Sequence, residues 1–487
     1  MNSYECTRFT DLPNDVLLEV AWFLRPQDLL TMTAISRALR RLFLEDVVWR
    51  QARSEWPLDV PVGLVPNDLD GSDLRRLHIK SIKLESMWGS SRAPSKVGGI
   101  TTPAIVHSIQ FLGSQWLLTL GGMENQVLGG MMTLWSLEDL QHIHVACSFN
   151  IVAPHCFGFA AAWRRGTNQI VIAVYTSNKS MQVHSMYRHQ GIWGFDHVLT
   201  LHGLPNALNS RNQLNLRICD YMVAWCTKAN GAAYVWLINS ITKRCFCAKL
   251  GPIFTGADVP IALVCIELGR LIVVTGSWMA EDTAPAQVVH VSRLPSCVLD
   301  ADGHVHTQSA LGNVEAVTPE DLDLELITCY ESPHFQIQPP TTPMRAARLD
   351  VAINSYHELT VVQHSDEANS LTFNRFPVDI HYGLRPTENP IFFDTTGHNE
   401  INVLLCRSGQ RGFYTALVVS DPNTDHTLIL RKFIIPGHTA VVPLDELVQA
   451  GHMFSCVSFD DATGRFCTAT WGFHPFHSGM VICDFVD

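Results

Sequence analysis

At 487 residues, with 47% hydrophobic and only 16% charged residues, the chain has the composition of a packed globular protein and not of a disordered one. The length favours a small module beside one large domain over a single compact core. A net charge of −12 with no basic stripe argues against a nucleic-acid partner, because an acidic balance repels phosphate backbones.

The opening residues, MNSYECTRFTDLPND, contain no apolar segment of the secretory kind, so no export signal is expected. Chemistry resumes at residues 9–57, where short helical patterns follow one another closely. Leu12-Pro13 opens the first, because proline suits a position where the missing N–H costs nothing. Val16, Leu17, Val20, Phe23 and Leu24 then recur at the spacing of one helical face. Arg25-Pro26 breaks that helix. A second short helix fits Gln27 to Thr33, and a third is predicted from about Ala34 through Val48, with Ile35, Leu39, Leu42 and Phe43 as its stripe. Arg37, Arg40 and Arg41 lie off that stripe and are expected to be solvated. Trp49 ends the unit. The apolar positions outnumber what so small a unit can bury alone, so the segment is expected to meet a partner.

The series Leu12-Pro13, Val16-Leu17, Val20, Leu24, Asp28-Leu29, Ile35-Ser36-Arg37, Leu39-Arg40 and Trp49 resembles an F-box. The resemblance covers about a tenth of the chain. It departs from the family at Ile35-Ser36, where Val-Cys is frequent, and at Leu39, where an aromatic often stands. It implies a three-helix module that docks on a Skp-type adaptor and so joins a cullin-based ubiquitin ligase. Helix-in-groove recognition needs apolar anchors at helical spacing. The candidate adaptor-binding residues are Leu12, Pro13, Val16, Leu17, Val20, Leu24, Leu29, Ile35 and Trp49. Residue type does not divide them between the partner and the module's own core.

Pro57, Pro61, Gly63, Pro66 and Gly71 predict an irregular linker, followed by a connecting helix over about 73–88 that Ser72-Asp73 could cap. That helix is expected to wedge the module against the body, with a flexible tether as the alternative. The expected domains are 9–57, a linker over 58–100, and a mainly β domain over 101–487.

Beyond residue 104 the texture changes to short Val-, Ile-, Thr- and aromatic-rich runs separated by tight polar turns, the signature of strands and hairpins. The leading strands begin near residues 116, 169, 221, 270, 357, 401 and 453, mostly about 44–53 residues apart. Multi-strand repeats of that period indicate propeller blades. The wide gap holds the polar, Pro-rich stretch Ser296–Pro343, either a long loop or a further blade. The predicted architecture is therefore α+β multidomain: a three-helix F-box, then a β-propeller of six to eight blades with seven as the central count. A β-sandwich, or two smaller β domains, is the competing arrangement. The whole layout is similar to fungal F-box proteins with a degenerate propeller-like C-terminal region. The last segment, FDDATGRFCTATWGFHPFHSGMVICDFVD, resembles the closing blade of such proteins, in which an Asp-x-x-Thr-Gly-Arg turn joins two strands.

The longest apolar run, Val259–Leu268, is interrupted by Glu267 and is far too short to cross a bilayer as a helix. The fourteen cysteines form no C-x-x-C pair and read as reduced, mostly buried hydrophobes. A cytoplasmic or nuclear location without membrane attachment is expected. His142-x-His144, His304-x-His306 and Cys245-x-Cys247 each set two ligands on one strand face, but zinc needs three or four that converge. His474 and His477 flank a turn. No nucleophile elbow, phosphate loop, dinucleotide fingerprint or H-E-x-x-H is present. No catalytic residue, metal or cofactor is expected. Trp116, Trp135, Trp163, Trp225, Trp236 and Trp278 fall in or beside strands and are expected mostly in the core.

These features predict a non-catalytic, substrate-recognition subunit of an SCF-type (Skp adaptor–cullin–F-box) ubiquitin ligase, with a protein target held by the β domain. Two rivals stand beside it: a propeller enzyme or glycan-binding protein with a helical cap, and an F-box scaffold acting outside the ligase.

Overall fold

The computed structural model describes residues 9, 12–52, 58–61, 64, 66–88, 92–102, 105–122, 130–151, 156–164, 166–176, 178–204, 216–229, 232–249, 261–267, 270–276, 287–299, 319–332, 348–353, 358–365, 370–379, 383–384, 391–394, 402–408, 413–419, 428–434, 438–443, 453–460, 462–471 and 478–485.

The N-terminal part is a run of short helices: α1 Asn14–Ala21, α2 Pro26–Ile35, α3 Arg37–Phe43 and α4 Asp46–Gln51. Pro13 is the N-cap of α1, and Pro26 occupies the first turn of α2, where its missing donor leaves no bond unmade. The third predicted helix, over 34–48, is instead divided three ways. Ser36 is extended (φ −150°, ψ 161°), which ends α2 at Ile35, and its Oγ accepts from Leu39 N at 3.2 Å to start α3. Extended backbone at Glu45 then separates α3 from α4. The unit therefore has four short helices where three were expected: the capping Ser36 moves the break between the second and third by two residues, and the extended backbone at Glu45 splits off the fourth.

Their shared core contains Leu17, Ala21, Leu29, Leu39, Leu42, Phe43, Val48 and Trp49, closed by Leu69, Leu74 and Leu77. Leu74 and Leu77 belong to α5, Gly71–Trp88. Its cap is Asp70, whose Oδ1 accepts from Asp73 N at 2.8 Å and from Ser72 Oγ at 2.8 Å. At its far end Trp88 is fully buried. It stacks on Phe459 at 4.7 Å and meets Phe485 edge-on at 5.5 Å. Phe459 lies in the closing sheet of the β body and Phe485 directly follows its last strand, so α5 packs on both parts of the molecule, as a wedge would.

The described strands form seven sheets. β1, Lys96–Thr102, follows α5 and belongs to the seventh. The first contains β2 Ile105–Phe111, β3 Trp116–Gly122, β4 Gly130–Ser136 and β5 His144–Ile151. The second contains β6 Cys156–Trp163, β7 Gln169–Thr176, β8 Ser180–His189 and β9 Ile192–Leu201. The third has β10 Leu216–Cys219, β11 Met222–Ala229, β12 Ala232–Asn239 and β13 Arg244–Lys249. The fourth has β14 Ile261–Glu267, β15 Arg270–Gly276 and β16 Gln287–Arg293. A short helix, α6 Ser296–Leu299, follows. Then β17 Glu320–Asp321 joins the third sheet, and β18 Glu325–Ser332 completes the fourth. The fifth is built from β19 Arg348–Ile353, β20 Glu358–Ser365, β21 Ser370–Asp379, β22 Gly383–Leu384 and β23 Ile391–Asp394. The sixth contains β24 Asn402–Ser408, β25 Phe413–Val419, β26 Leu428–Ile434 and β27 His438–Pro443. In the seventh, β28 Met453–Asp460, β29 Arg465–Trp471 and β30 Ser478–Asp484 are joined by β1, which pairs antiparallel with β30 from Lys96↔Asp484 to Thr102↔Ser478.

Each of the seven repeats read from the sequence falls in a different sheet. Four leading strands, near 116, 169, 221 and 270, are second strands of their sheets, and so is the one near 357. The stretch Ser296–Pro343 contains no sheet of its own among the described residues: its strands β17 and β18 complete sheets three and four. Pro339–Pro343 lie outside the described residues.

First strands of successive sheets neighbour one another in order, β2, β6, β10, β14, β19, β24 and β28, and β28 returns to β2. The described side chains explain that packing. Leu118, Leu120, Met132 and Leu134 of the first sheet interdigitate with Phe159, Ala161, Ile170 and Ile172 of the second. Gln110 pairs with the Ala161 backbone through both amide atoms, at 2.6 and 2.9 Å. Between sheets seven and one, Val106, Ile109 and Leu117 pack with Cys467, Ala469 and Ile482. There Arg465 donates to Asp484 Oδ2 at 2.8 Å, to Leu137 O at 3.3 Å and to Ser114 O. It follows an Asp460-based turn in which Gly464 supplies a positive φ of 73°. Arg465, held by Asp484 within the last sheet, thus ties that sheet to the first through the Ser114 and Leu137 carbonyls. Gly121 and Gly122 end strand β3.

Candidate docking surface

The helical unit divides the nine residues expected to touch an adaptor. Leu17, Leu29 and Trp49 are buried in the unit's own core. Trp49 also donates from Nε1 to Phe43 O at 2.9 Å, and its ring faces His78 of α5 at 5.6 Å. Leu12 and Leu24 are half-buried and pack against that core, and Val20 is half-buried. Pro13, Val16 and Ile35 face outward, with Ile35 61% exposed.

Other residues are exposed beside them. Phe23 is 87% exposed, and Phe9 and Trp22 are exposed to a lesser degree. Pro13, Val16, Val20 and Phe23 follow the three-and-four spacing of a single stripe, one residue out of phase with the buried Leu17 and Ala21 and the half-buried Leu24. The two stripes are adjacent, which makes α1 apolar around much of its circumference. A soluble helix of eight residues needs only one such stripe to hold its place. Trp22 and Phe9 were not among the sequence candidates, and their signal is simply that they are large and apolar beside a helix already supplied with core residues. Burying one such side chain against a partner contributes roughly 1.5–3 kcal/mol.

Polar groups hold the frame without competing for the surface. Arg40 donates from Nε to Thr33 O at 3.0 Å, and Arg25 pairs with Asp28 at 3.3 Å in an exposed setting. Lys80 holds Asp59 of the linker at 2.7 Å. His78 is fully buried, which pushes its pKa down to about 4, so it is neutral at pH 7.

The residues weighed for metal or catalysis are elsewhere. His142 is exposed and its Nδ1 meets Asp139 at 2.6 Å. Burial raises Cys245 to about 12 and Cys247 to about 11, which keeps both as thiols. Among the described residues no group of three or more His, Cys, Asp or Glu is arranged to hold a metal ion. His304, His306, His474, His477 and Trp278 lie outside the described residues. Trp116, Trp135 and Trp225 are buried, and Trp163 and Trp236 are half-buried. No described helix is long and apolar enough to cross a membrane.

A family model described as F-box-like matches residues 9–54, the span of α1 to α4. These residues are an F-box-like domain. A domain of this kind implies binding to a Skp-type adaptor. The sheets that follow the F-box-like domain are similar to a solved WD40 domain of SCAP from fission yeast, at 9% identity and a TM-score of 0.44, covering 79% of this chain and 83% of that one. They are also similar to a structure from a study of two prolyl endopeptidases, at 12% identity and a TM-score of 0.39, covering 80% of this chain and 47% of that one. No curated protein matches the sequence.

Proposed function

We propose that this chain is the target-recognition subunit of an SCF-type ubiquitin ligase. The F-box-like domain binds a Skp-type adaptor, and through it a cullin, while the β body binds a protein target. The observation that carries this reading is the doubled stripe of α1: the module fills its core with Leu17, Leu29 and Trp49 and still exposes Pro13, Val16, Phe23 and Ile35. In this reading the second set, with Trp22 and Phe9, enters the adaptor's groove, and Leu12, Val20 and Leu24 contribute their exposed edges. The chain itself makes and breaks no bonds. It raises the effective concentration of target lysines near the loaded conjugating enzyme.

The domain division is an F-box over 9–57, a linker with its helix over 58–95, and a seven-bladed propeller over 96–487, the expected boundary at 100/101 moving back because β1 belongs to the closing sheet. Seven sheets whose first strands neighbour one another in a closed order support the count.

The test is co-purification with a Skp-type adaptor. Phe23→Asp combined with Ile35→Asp is expected to abolish it while the melting temperature of the full chain stays within a degree or two. Undiminished co-purification overturns the proposal. Leu17→Asp would be uninformative, since it buries a charge in the module's own core.

A further inference from the structure

The outer edge of the third sheet is occupied by the chain itself, in an unusual way. β17 lies beside β13 in the one parallel pairing among the described strands, with Phe246↔Glu320 and Cys247↔Asp321. Leu322 N adds a bond to Cys247 O at 2.9 Å. Arg244 grips Glu320 with two parallel bonds, Nε to Oε1 at 2.9 Å and Nη2 to Oε2 at 2.5 Å, and its guanidinium lies over the Phe246 ring at 4.9 Å. Leu322 and Leu324 pack against the sheet's core cluster. The segment Glu320-Asp321-Leu322-Asp323-Leu324 thus has an acid on a cation, a short ladder, and two apolar residues two apart facing inward.

The grip is uneven along the insertion. Its start is locked: Val298 of α6 is fully buried, Asn239 Nδ2 donates to Val298 O at 3.0 Å, and Tyr221 Oη donates to Leu299 O at 2.6 Å. Its end is held lightly. β17 pairs with two of the six residues of β13, and the Arg244–Glu320 pair is about half exposed, where ion pairs contribute little. A mere cover for an edge strand would be expected to run along more of it.

We propose that the β13 edge is a peptide-docking site for acidic, leucine-bearing segments of the Glu-Asp-Leu-x-Leu kind, and that residues 320–324 occupy it in cis as a built-in competitor. A target strand in the same parallel register places its acid on Arg244 and its two leucines where Leu322 and Leu324 sit, and can pair with all six residues of β13. This is strand addition, with backbone bonds for affinity and side-chain positions for selectivity. The tethered segment competes at high effective concentration, so only a longer or better-fitting strand displaces it. The inference rests on the reading of the β body as the target-binding part.

The probe is a fluorescein-labelled synthetic peptide of residues 318–325, Thr-Pro-Glu-Asp-Leu-Asp-Leu-Glu, titrated with the full chain by fluorescence anisotropy. Glu320→Arg in the chain sets two cations side by side and releases the cis strand, and is expected to tighten peptide binding at least tenfold over the parent. The gain is expected to vanish for a peptide carrying arginine in place of its first glutamate, and also on adding Arg244→Glu, which re-forms the cis ion pair with its charges exchanged and closes the edge again. No gain in the Glu320→Arg chain, or a gain indifferent to Arg244→Glu, overturns the proposal. So does a lowered melting temperature with no peptide binding, which is the result expected of a purely structural strap. The measurement involves no adaptor, so its failure leaves the co-purification result standing, and the reverse also holds.

Discussion

The helical module and the β body handle apolar surface in opposite ways. Among the described side chains, the large hydrophobics that remain exposed are Phe9, Val16, Trp22, Phe23, Ile35, Leu44, Val47 and Leu64 in the helical part, against Val145, Tyr187 and Ile192 in the rest. A helix buries one stripe and leaves the opposite side to solvent or to a partner. A sheet within a ring of sheets has a neighbour on each face, and the clusters between sheets one, two, three and seven absorb what their strands carry. Apolar excess therefore reads differently in the two parts: in the β body it is packing, and in the module it is surface left over after the packing is complete.

The largest expected effects come from exchanging those two kinds of residue. Trp49→Ala removes a buried indole and leaves the Phe43 carbonyl without its donor, so it is expected to cost about 3–5 kcal/mol. That is enough to unfold so small a module. Phe23→Ala, at a site 87% exposed, is expected to change stability by less than about 0.5 kcal/mol. Chemical denaturation of the full chain, followed by far-ultraviolet circular dichroism, measures both. Equal costs would erase the distinction between core and docking stripe.

Acid sharpens the same comparison. Each part buries a neutral histidine: His78 under Trp49, held down to about 4, and His184 in the second sheet, held down to about 3 by burial and then by the nearby His197. In both cases the unfolded chain takes up a proton near pH 6.5 while the folded chain resists, so stability is lost as pH falls. For His78 the loss starts near pH 6.5 and is complete near pH 4, for a total of about 3 kcal/mol at about 1.4 kcal/mol per unit. Urea midpoints between pH 7 and pH 4 are expected to fall accordingly, and His78→Gln is expected to flatten the part of that slope that belongs to the helical module. An unchanged slope in that variant would mean that His78 is protonated in the folded state.

How much of this was legible follows from what each element shows in its side chains. Second strands such as QIVIAVYT in β7 are β-branched and lie between two neighbours, so they stand out, and their spacing counts the sheets. The first strands were harder. β6, CFGFAAAW, is rich in alanine and glycine, which permits close approach at Ala161 but removes the β-branched signal. β14 showed only as the apolar run Val259–Leu268. The insertion between β16 and β18 was opaque because its ordered parts serve different sheets: α6 and β17 attach to the third and β18 to the fourth. In the candidate site the limit was sharper. Val16 and Leu17 are adjacent and alike in chemistry, and only the way α1 rotates against α3 makes one surface and the other core.

Ser36 tests that placement with the smallest change. Its Oγ satisfies Leu39 N, and its extended backbone ends α2 with Ile35 turned outward. Ser36→Ala removes the cap and is expected to cost about 1 kcal/mol, while Ser36→Asp, which can accept the same bond and favours the positive end of the helix, is expected to retain most of it. The two variants also separate stability from docking. A loss of adaptor co-purification in Ser36→Ala larger than its loss of stability would mean that the cap acts by fixing Ile35, whose outward placement at the end of α2 depends on the break before α3. Equal losses would make the cap a matter of helix stability alone, and the stripe on α1 would then carry the docking without help from α2.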